Sequence, residues 1–243
     1  MPIIGLHHYK LLFKDRLRRS EFEEQHKNGR RDFRYCILED VDLRCCLAGI
    51  DVRYADLRQV RDIPNVMIKV NLTGVNLEGV NLQGINLSHS VLADANLKAA
   101  QFNGANLEGV SLSRAILERA CFDYACLNGA NLTQAKLKGA NLNHSYLVGT
   151  NLTQAQLKGC NLDHANLEAS NLTQANLDEA NLSWANLNAA NLTKASFCNC
   201  NLIFADLEGT EPKKANFKRA TTNSMRLPYG VTLTETAFWN HKS

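Results

Sequence analysis

Residues 151–170 read NLTQAQLKGCNLDHANLEAS, with leucine at 152, 157, 162 and 167, always five residues apart. No straight element buries all four. An α-helix advances about 140° per five residues, which would spread the leucines around its whole circumference. A β-strand alternates its side chains with period two, so an odd spacing turns every second leucine outward. The chain must therefore change direction once every five residues, bringing each leucine back to one common axis. A longer period sets the number of sides: NLTQA recurs at 131, 151 and 171 and NLTKA stands at 191, a repeat of 20 residues, or four fives. That spacing describes a coil with four sides and one buried leucine on each.

The pattern extends well beyond this stretch. Stepping by five from Leu72 to Leu207 gives 28 centres, all leucine except Phe102, Phe122 and Phe197. Two positions before each centre stands a small or modest residue, mostly alanine (Ala95, Ala135, Ala175), sometimes Val, Ser, Thr or Cys. Immediately before the centre, asparagine predominates. A period of this length has to be read before any other feature, because it organises the whole chain. The segments ANLEG (105–109), ANLTQ (130–134) and ADLEG (205–209) resemble the A(D/N)LXX motif of the pentapeptide repeat protein family, and the resemblance covers residues 31–217. It implies an all-β fold, a right-handed quadrilateral β-helix in which the centre and the residue two before it point inward and the other three outward. The periodicity alone reaches the four-sided coil; handedness and square section come from the resemblance.

An unbroken repeat makes the 243 residues one quasi-one-dimensional stack rather than two ordinary domains. The expected division is a helical N-terminal cap over 1–30, the β-helix over 31–217 and a C-terminal cap or tail over 218–243. A stack of coils exposes unpaired backbone and apolar ladder at both ends unless something covers them. Upstream, SEFEEQHKNG (20–29) reads as a short helix, with Ser20 as N-cap, Glu23 three residues later and Asn28-Gly29 as the stop. NGRRDF (28–33) then resembles the G-x-R-D-F that follows a short helix in many family members. The coils begin through Phe33, Leu38 and Leu43. A four-residue step from Leu43 to Leu47 and the unsuitable Asp62, near Pro64, mark an irregular early coil. At the far end Pro212 replaces a centre, Phe217 is the last good one, and Phe238 and Trp239 are available to cover the final coil.

Net charge is +3, unevenly spread: residues 1–70 carry 14 basic and 11 acidic groups, 71–210 carry 7 and 11, and 211–243 carry 6 and 2. No apolar run approaches the ~20 residues of a membrane helix. MPIIGLHHYK at the start lacks the basic head and long apolar stretch of a signal peptide, so a cytoplasmic protein is expected, bacterial and plausibly cyanobacterial given where the resembled family abounds. The eight cysteines do not form a disulfide framework. Cys160 and Cys200 fall on the inward small-residue ladder two coils apart, about 10 Å at ~4.8 Å per coil, too far to bridge. Cys198 and Cys200 resemble a metal half-site in spacing, but one side chain faces out and the other in.

Function has to come from the outward faces, since the fold alone implies none. Read down the 20-residue period, the column two after the centre on one side is Gly84, Gly104, Tyr124, His144, His164, Trp184, Phe204. Five successive coils thus present a ring along one line, spanning roughly 19 Å. The neighbouring column, His89, Gly109, Gly129, Gly149, Ala169, Ala189, Gly209, is nearly bare. On another side Gln134, Gln154, Gln174 and Lys194 stand beside Thr133, Thr153, Thr173 and Thr193, polar ladders that solvate the surface and pair along the stack. The ring column has three readings: a stack that stabilises neighbouring coils, a strip on which a protein docks, or a metal site at His144 and His164 beside Asp163. Two imidazoles without a third convergent ligand fall short of a metal set.

No nucleophile–base constellation and no phosphate-cradling glycine loop occurs, and the glycines follow the repeat. A non-enzymatic binding or scaffold protein with a protein partner is therefore expected, with no cofactor, no metal, no small-molecule substrate and no membrane. The basic groups at 14–19 (KDRLRR) and 213–219 (KKANFKR) lie outside the regular coils beside acidic residues, so nucleic acid is not the expected partner. The resemblance adds a rival reading, since some family members look like B-form DNA to type II topoisomerases and protect them from quinolones. That role needs a strongly negative surface. Here residues 71–210 sum to −4 and the column Glu78, Lys98, Glu118, Lys138, Lys158, Asp178 mixes signs.

Overall fold

The structure, a computed structural model, describes residues 15–227 apart from 45, 46, 48 and 211. The expectation for Phe238 and Trp239 lies outside the described residues. Regular elements are few: β1 (Arg16–Arg18), α1 (Arg19–Lys27), β2 (Ile37–Glu39) and β3 (Asp56–Gln59), the three strands pairing in parallel in the order β1-β2-β3. Beyond β3 the ladder consists of single parallel bridges, one at every fifth residue, each joining a residue to the one 20 positions later, as in Asn131↔Asn151↔Asn171↔Asn191. Four bridges per 20-residue coil stack into a β-helix solenoid.

One repeat unit explains why the chain can turn so often without stranding its backbone. In Asn151–Ala155 the Asn151 N–H donates to the Ala130 carbonyl one coil back (2.9 Å), and the Leu152 N–H to the Asn171 carbonyl one coil on (2.8 Å). Gln154 N–H reaches the Thr173 carbonyl (2.9 Å), and Ala155 N–H closes the turn on the Leu152 carbonyl (3.0 Å). Thr153 N–H alone has no backbone partner; the Asn151 side-chain oxygen accepts it at 3.1 Å and also accepts the Thr153 hydroxyl at 2.7 Å. All five N–H groups are satisfied, which a buried ladder requires. Asparagine before the centre is the residue that supplies the fifth acceptor, as short polar side chains do in local turns. In the early coils aspartate takes this place: Asp32, Asp51 and Asp56 accept the backbone N–H two residues on and the guanidinium of the same arginine, Arg34, Arg53 and Arg58.

The interior follows the expected pattern. All 28 centres from Leu72 to Leu207 are buried, Phe102 stacks on Phe122 (5.1 Å, 3°) and Phe197 on Phe217 (4.9 Å, 5°). Of the inward polar residues, Ser145 donates its hydroxyl to the Leu142 carbonyl (2.6 Å) and Thr150 to Leu127 (2.8 Å), while the buried Ser170 hydroxyl has no partner among the described residues. Cys160 and Cys200 lie in the same ladder as free thiols, each hydrogen-bonded to a carbonyl, Leu137 (2.9 Å) and Leu177 (2.8 Å). Burial raises both thiols to about 12.

The two ends depart from the sequence expectation. At the start, the ladder already includes β1, whose Leu17 pairs with Leu38, so residues before 31 are not helix alone. Because β1 runs straight into α1, the helix N-cap is Arg18 rather than Ser20, and the carboxylate that caps it is Glu21 (to Arg18 N–H, 2.8 Å), while Glu23 takes Arg19. The stop at Asn28-Gly29 is as read, with Asn28 as C-cap and Gly29 at φ 95°. Phe22 of α1 is buried and lies on Phe33, centroids 4.6 Å apart. The early irregularity has two parts. Asp32 pairs with Asp51 rather than a residue 20 on, reflecting the short Leu43–Leu47 step, and a bulge in β3 against β2 then restores the register. That bulge moves Asp62 to the bridge place opposite Asp42 and lets Ile63 pack against the core, so the carboxylate never occupies a centre. At the far end, bridges Asn201↔Thr221 and Asp206↔Arg226 and buried Met225 carry the ladder past Phe217, because Thr222 and Leu227, unlike a repeat motif, still face inward in part.

Candidate docking strip

Each turn places its third residue, two after the centre, in the left-handed region, where glycine is the cheapest occupant. Tyr124, His144, His164, Trp184 and Phe204 all sit there, at φ 57°, 53°, 56°, 59° and 59°. A side chain so placed leaves the corner of the coil and projects away from the core. The structure brings all five together as one column. Ring centroids are 4.8 Å apart for Tyr124–His144 (planes 5° apart), 4.8 Å for His144–His164, 5.8 Å for His164–Trp184 and 4.2 Å for Trp184–Phe204. The rings face one another along the stack and offer their edges to solvent: Tyr124 is 61%, Trp184 53% and Phe204 45% exposed.

The polar surroundings are modest. His164 Nδ1 lies 3.1 Å from Asp163, whose other oxygen accepts the Ser183 hydroxyl at 2.9 Å. Among the described residues no group of three or more His, Cys, Asp or Glu is placed to hold a metal ion. Tyr146, on the bridge position just past the His144 corner, is 51% exposed and extends the apolar surface around the edge. Reading turn columns alone missed it. A second stack, Tyr35 on Tyr54 (5.0 Å, 7°), was also hidden, because the short first coil puts those two residues 19 apart.

Apart from exposed Val66 and Ile68 in the early coils, polar side chains pair along the other faces. Gln134, Gln154 and Gln174 form a chain of side-chain amides at 2.8 Å per link, and Asn141, Asn161, Asn181 and Asn201 form another. Charges alternate and neutralise one another along the stack: Lys98 with Glu78 (3.8 Å), Arg114 with Asp94 (2.7 Å), Lys158 with Glu179 (3.0 Å). No helix among the described residues is long and apolar enough to cross a membrane.

The family model described as Pentapeptide repeats matches in eight copies over residues 71–109, 95–134, 135–174 and 175–211, more than half of the chain. The protein belongs to the pentapeptide repeat family. Among solved structures it is similar to HetL of the cyanobacterium Nostoc sp. strain PCC 7120, a pentapeptide repeat protein involved in heterocyst differentiation regulation, at 27% identity over 88% of this chain and 99% of that one, with a TM-score of 0.42. It is also similar to a trypsin-treated form of QnrB1, a plasmid-mediated fluoroquinolone resistance protein, at 15% identity over 94% and 92% of the two chains (TM-score 0.44). A pentapeptide repeat protein from the Arabidopsis thaliana thylakoid lumen matches at 33% identity over 37% of this chain and 66% of its own (TM-score 0.32). No curated protein matches.

Proposed function

We propose that this chain is a non-enzymatic scaffold, soluble in a bacterial cytoplasm, that of a cyanobacterium, and that it docks a protein partner on the column Tyr124, His144, His164, Trp184, Phe204. We take its coils to be right-handed and square in section, with α1 covering the first coil. The observation that carries the docking reading is five consecutive rings on one line, the longest aromatic column among the described residues. A left-handed residue other than glycine costs about 1 kcal/mol, while a stacked ring pair returns ~0.5–1.5 kcal/mol. Four ring contacts among five residues thus roughly offset the backbone strain, leaving little net stability as the reason for the column. Contiguous exposed aromatic surface is what protein interfaces use, and Trp184, at the centre of its own two contacts, is the natural anchor.

The test is the double substitution Trp184→Ala with His164→Ala, measured in two ways on one preparation. Capture of partners from the native host, identified by mass spectrometry, should fall, and stability should fall by roughly 1.5–4.5 kcal/mol, since three ring contacts are lost while alanine keeps the left-handed strain. A lowered melting temperature with unchanged capture would assign the column to coil stabilisation alone.

A further inference from the structure

The ring column stops at Tyr124, yet the rungs beneath it continue. The two preceding coils place Gly84 and Gly104 in the same column, both at φ +64° and both with nothing within 4 Å of where a Cβ would stand. Gly79, Gly129, Gly149 and Gly159 are equally open, but at two other rungs the protein lays a ring of its own over the glycine. The Tyr54 ring lies over Gly74, and the His89 ring over Gly109, each occupying the space a Cβ would need. Gly104 has no such cover, because the residue one coil earlier is Gly84. Tyr124 is engaged on its other side, stacked with His144 at 4.8 Å. Its face toward Gly104 is bare, in keeping with its being the most exposed ring of the column.

We propose that the rungs at Gly104 and Gly84 are an open slot of the ladder that receives one aromatic side chain from the docked partner, stacked on Tyr124 and lengthening the column by a ring. The inference rests on the docking reading of the strip and adds the chemistry of what it recognises. Coils are about 4.8 Å apart, so a ring at the level of Gly104 meets Tyr124 within the roughly 4.5–7 Å of ring stacking. Two glycines in succession leave room for the incoming ring and its Cβ without displacing any side chain. An aliphatic side chain of similar size would fill the same space without the ring-on-ring contact, so the slot selects Phe, Tyr or Trp. Tyr54 over Gly74 and His89 over Gly109 show that a ring fits this geometry, and the exposed Tyr124 ring beside Gly104 is what favours a ring there.

The test is an amide chemical-shift titration of the isotope-labelled full chain with a short Gly/Ser peptide bearing a central Trp, against the same peptide bearing Leu. Saturable ring-current shifts are expected at the Gly104 and Gly84 amides, with the Leu peptide binding roughly five-fold more weakly. Gly104→Tyr, which fills the slot from within, should abolish the shifts without lowering the melting temperature, since Tyr124 already occupies the same column at φ 57°. Tyr124→Leu, which keeps bulk and removes the ring, should abolish them too, and covers the case in which Gly104→Tyr fails to fold. Equal binding of the Leu peptide, or shifts at Trp184 and Phe204 with none at Gly104, would overturn the proposal. So would a moved Gly104 amide in Phe238→Ala/Trp239→Ala before any peptide is added, because the chain itself would then fill the slot. If partner capture is lost in Trp184→Ala/His164→Ala but kept in Gly104→Tyr, the slot falls and the strip stands.

Discussion

At the scale of single residues, the five places of the repeat do different physical work, and substitutions should separate them sharply. Leu152 is buried in a continuous apolar ladder, whereas Lys158 is half-exposed and paired with Glu179 at 3.0 Å. Leu152→Lys should cost several kcal/mol, about the scale of burying an uncompensated charge after local relaxation. Lys158→Glu loses only a surface pair and sets two carboxylates near each other, an effect of about 1 kcal/mol or less. Thermal melts showing equal losses would remove the inward assignment of the centres. The cysteines offer a second residue-scale check. Cys160 and Cys200 are buried with thiols pushed to about 12, chiefly by desolvation, so at neutral pH neither carries thiolate. Alkylation followed by peptide mapping should label Cys121, Cys126 and Cys198, which are partly exposed, well before Cys160 and Cys200. Early labelling of Cys160 would mean that its coil opens on its own.

At the scale of elements, the first coils are held differently from the middle ones. Residues 32–62 use aspartate–arginine brackets where later coils use asparagine. The carboxylate of Asp42, hydrogen-bonded by Arg44, is held down at about 2, and Arg53 and Arg16 lower Asp51 and Glu39 in the same way. A depressed folded-state value contributes stability that is fully present above the ordinary carboxylate range, near pH 4. That contribution is lost as pH falls through the folded value toward 2. The carboxylates are partly exposed and their arginines reach solvent, so each effect is small, but they are concentrated at one end. Hydrogen exchange at pH 3 compared with pH 6 should therefore show protection falling first around residues 32–62, with 130–200 retained. Uniform loss along the stack, or loss beginning in the middle, would contradict the bracket as the source of order in this part. The short first coil and the β3 bulge lie in the same stretch, where pattern and register part company and then rejoin.

At the scale of the whole molecule, the long axis carries one five-ring column and no uniform charge. Residues 71–210 sum to −4, and three of the seven cations there, Lys98, Arg114 and Lys158, pair with an anion one coil away. A surface that imitates a DNA duplex would have to repeat negative charge at every phosphate step, one per about 1.7 Å of axis. Alternating pairs cancel such a field within a Debye length, about 8 Å at physiological salt. The protein should accordingly leave gyrase supercoiling and quinolone-induced cleavage unchanged at micromolar concentration. Clear inhibition in a supercoiling assay would shift attention from the rings to the acidic positions.

Much of this architecture is legible in the chain because a coil of fixed length converts spacing directly into position: five residues return a side chain to the core, and twenty return it to the same column. On that basis the sequence alone determined the repeat, the inward ladders, the free cysteines within them and the membership of Tyr124, His144, His164, Trp184 and Phe204 in one line. It could not resolve places where the count slips. Ile63 rather than Asp62 faces the core, Tyr35 meets Tyr54, and β1 precedes the helix, because backbone pairing between coils outweighs the local motif when one residue is missing or added. Nor could spacing say how the rings lie. Only the tertiary structure turns them face to face along the axis and leaves Tyr124 bare above Gly104, since ring orientation depends on the left-handed backbone at each corner and on the neighbour one coil away, neither of which a one-dimensional pattern contains.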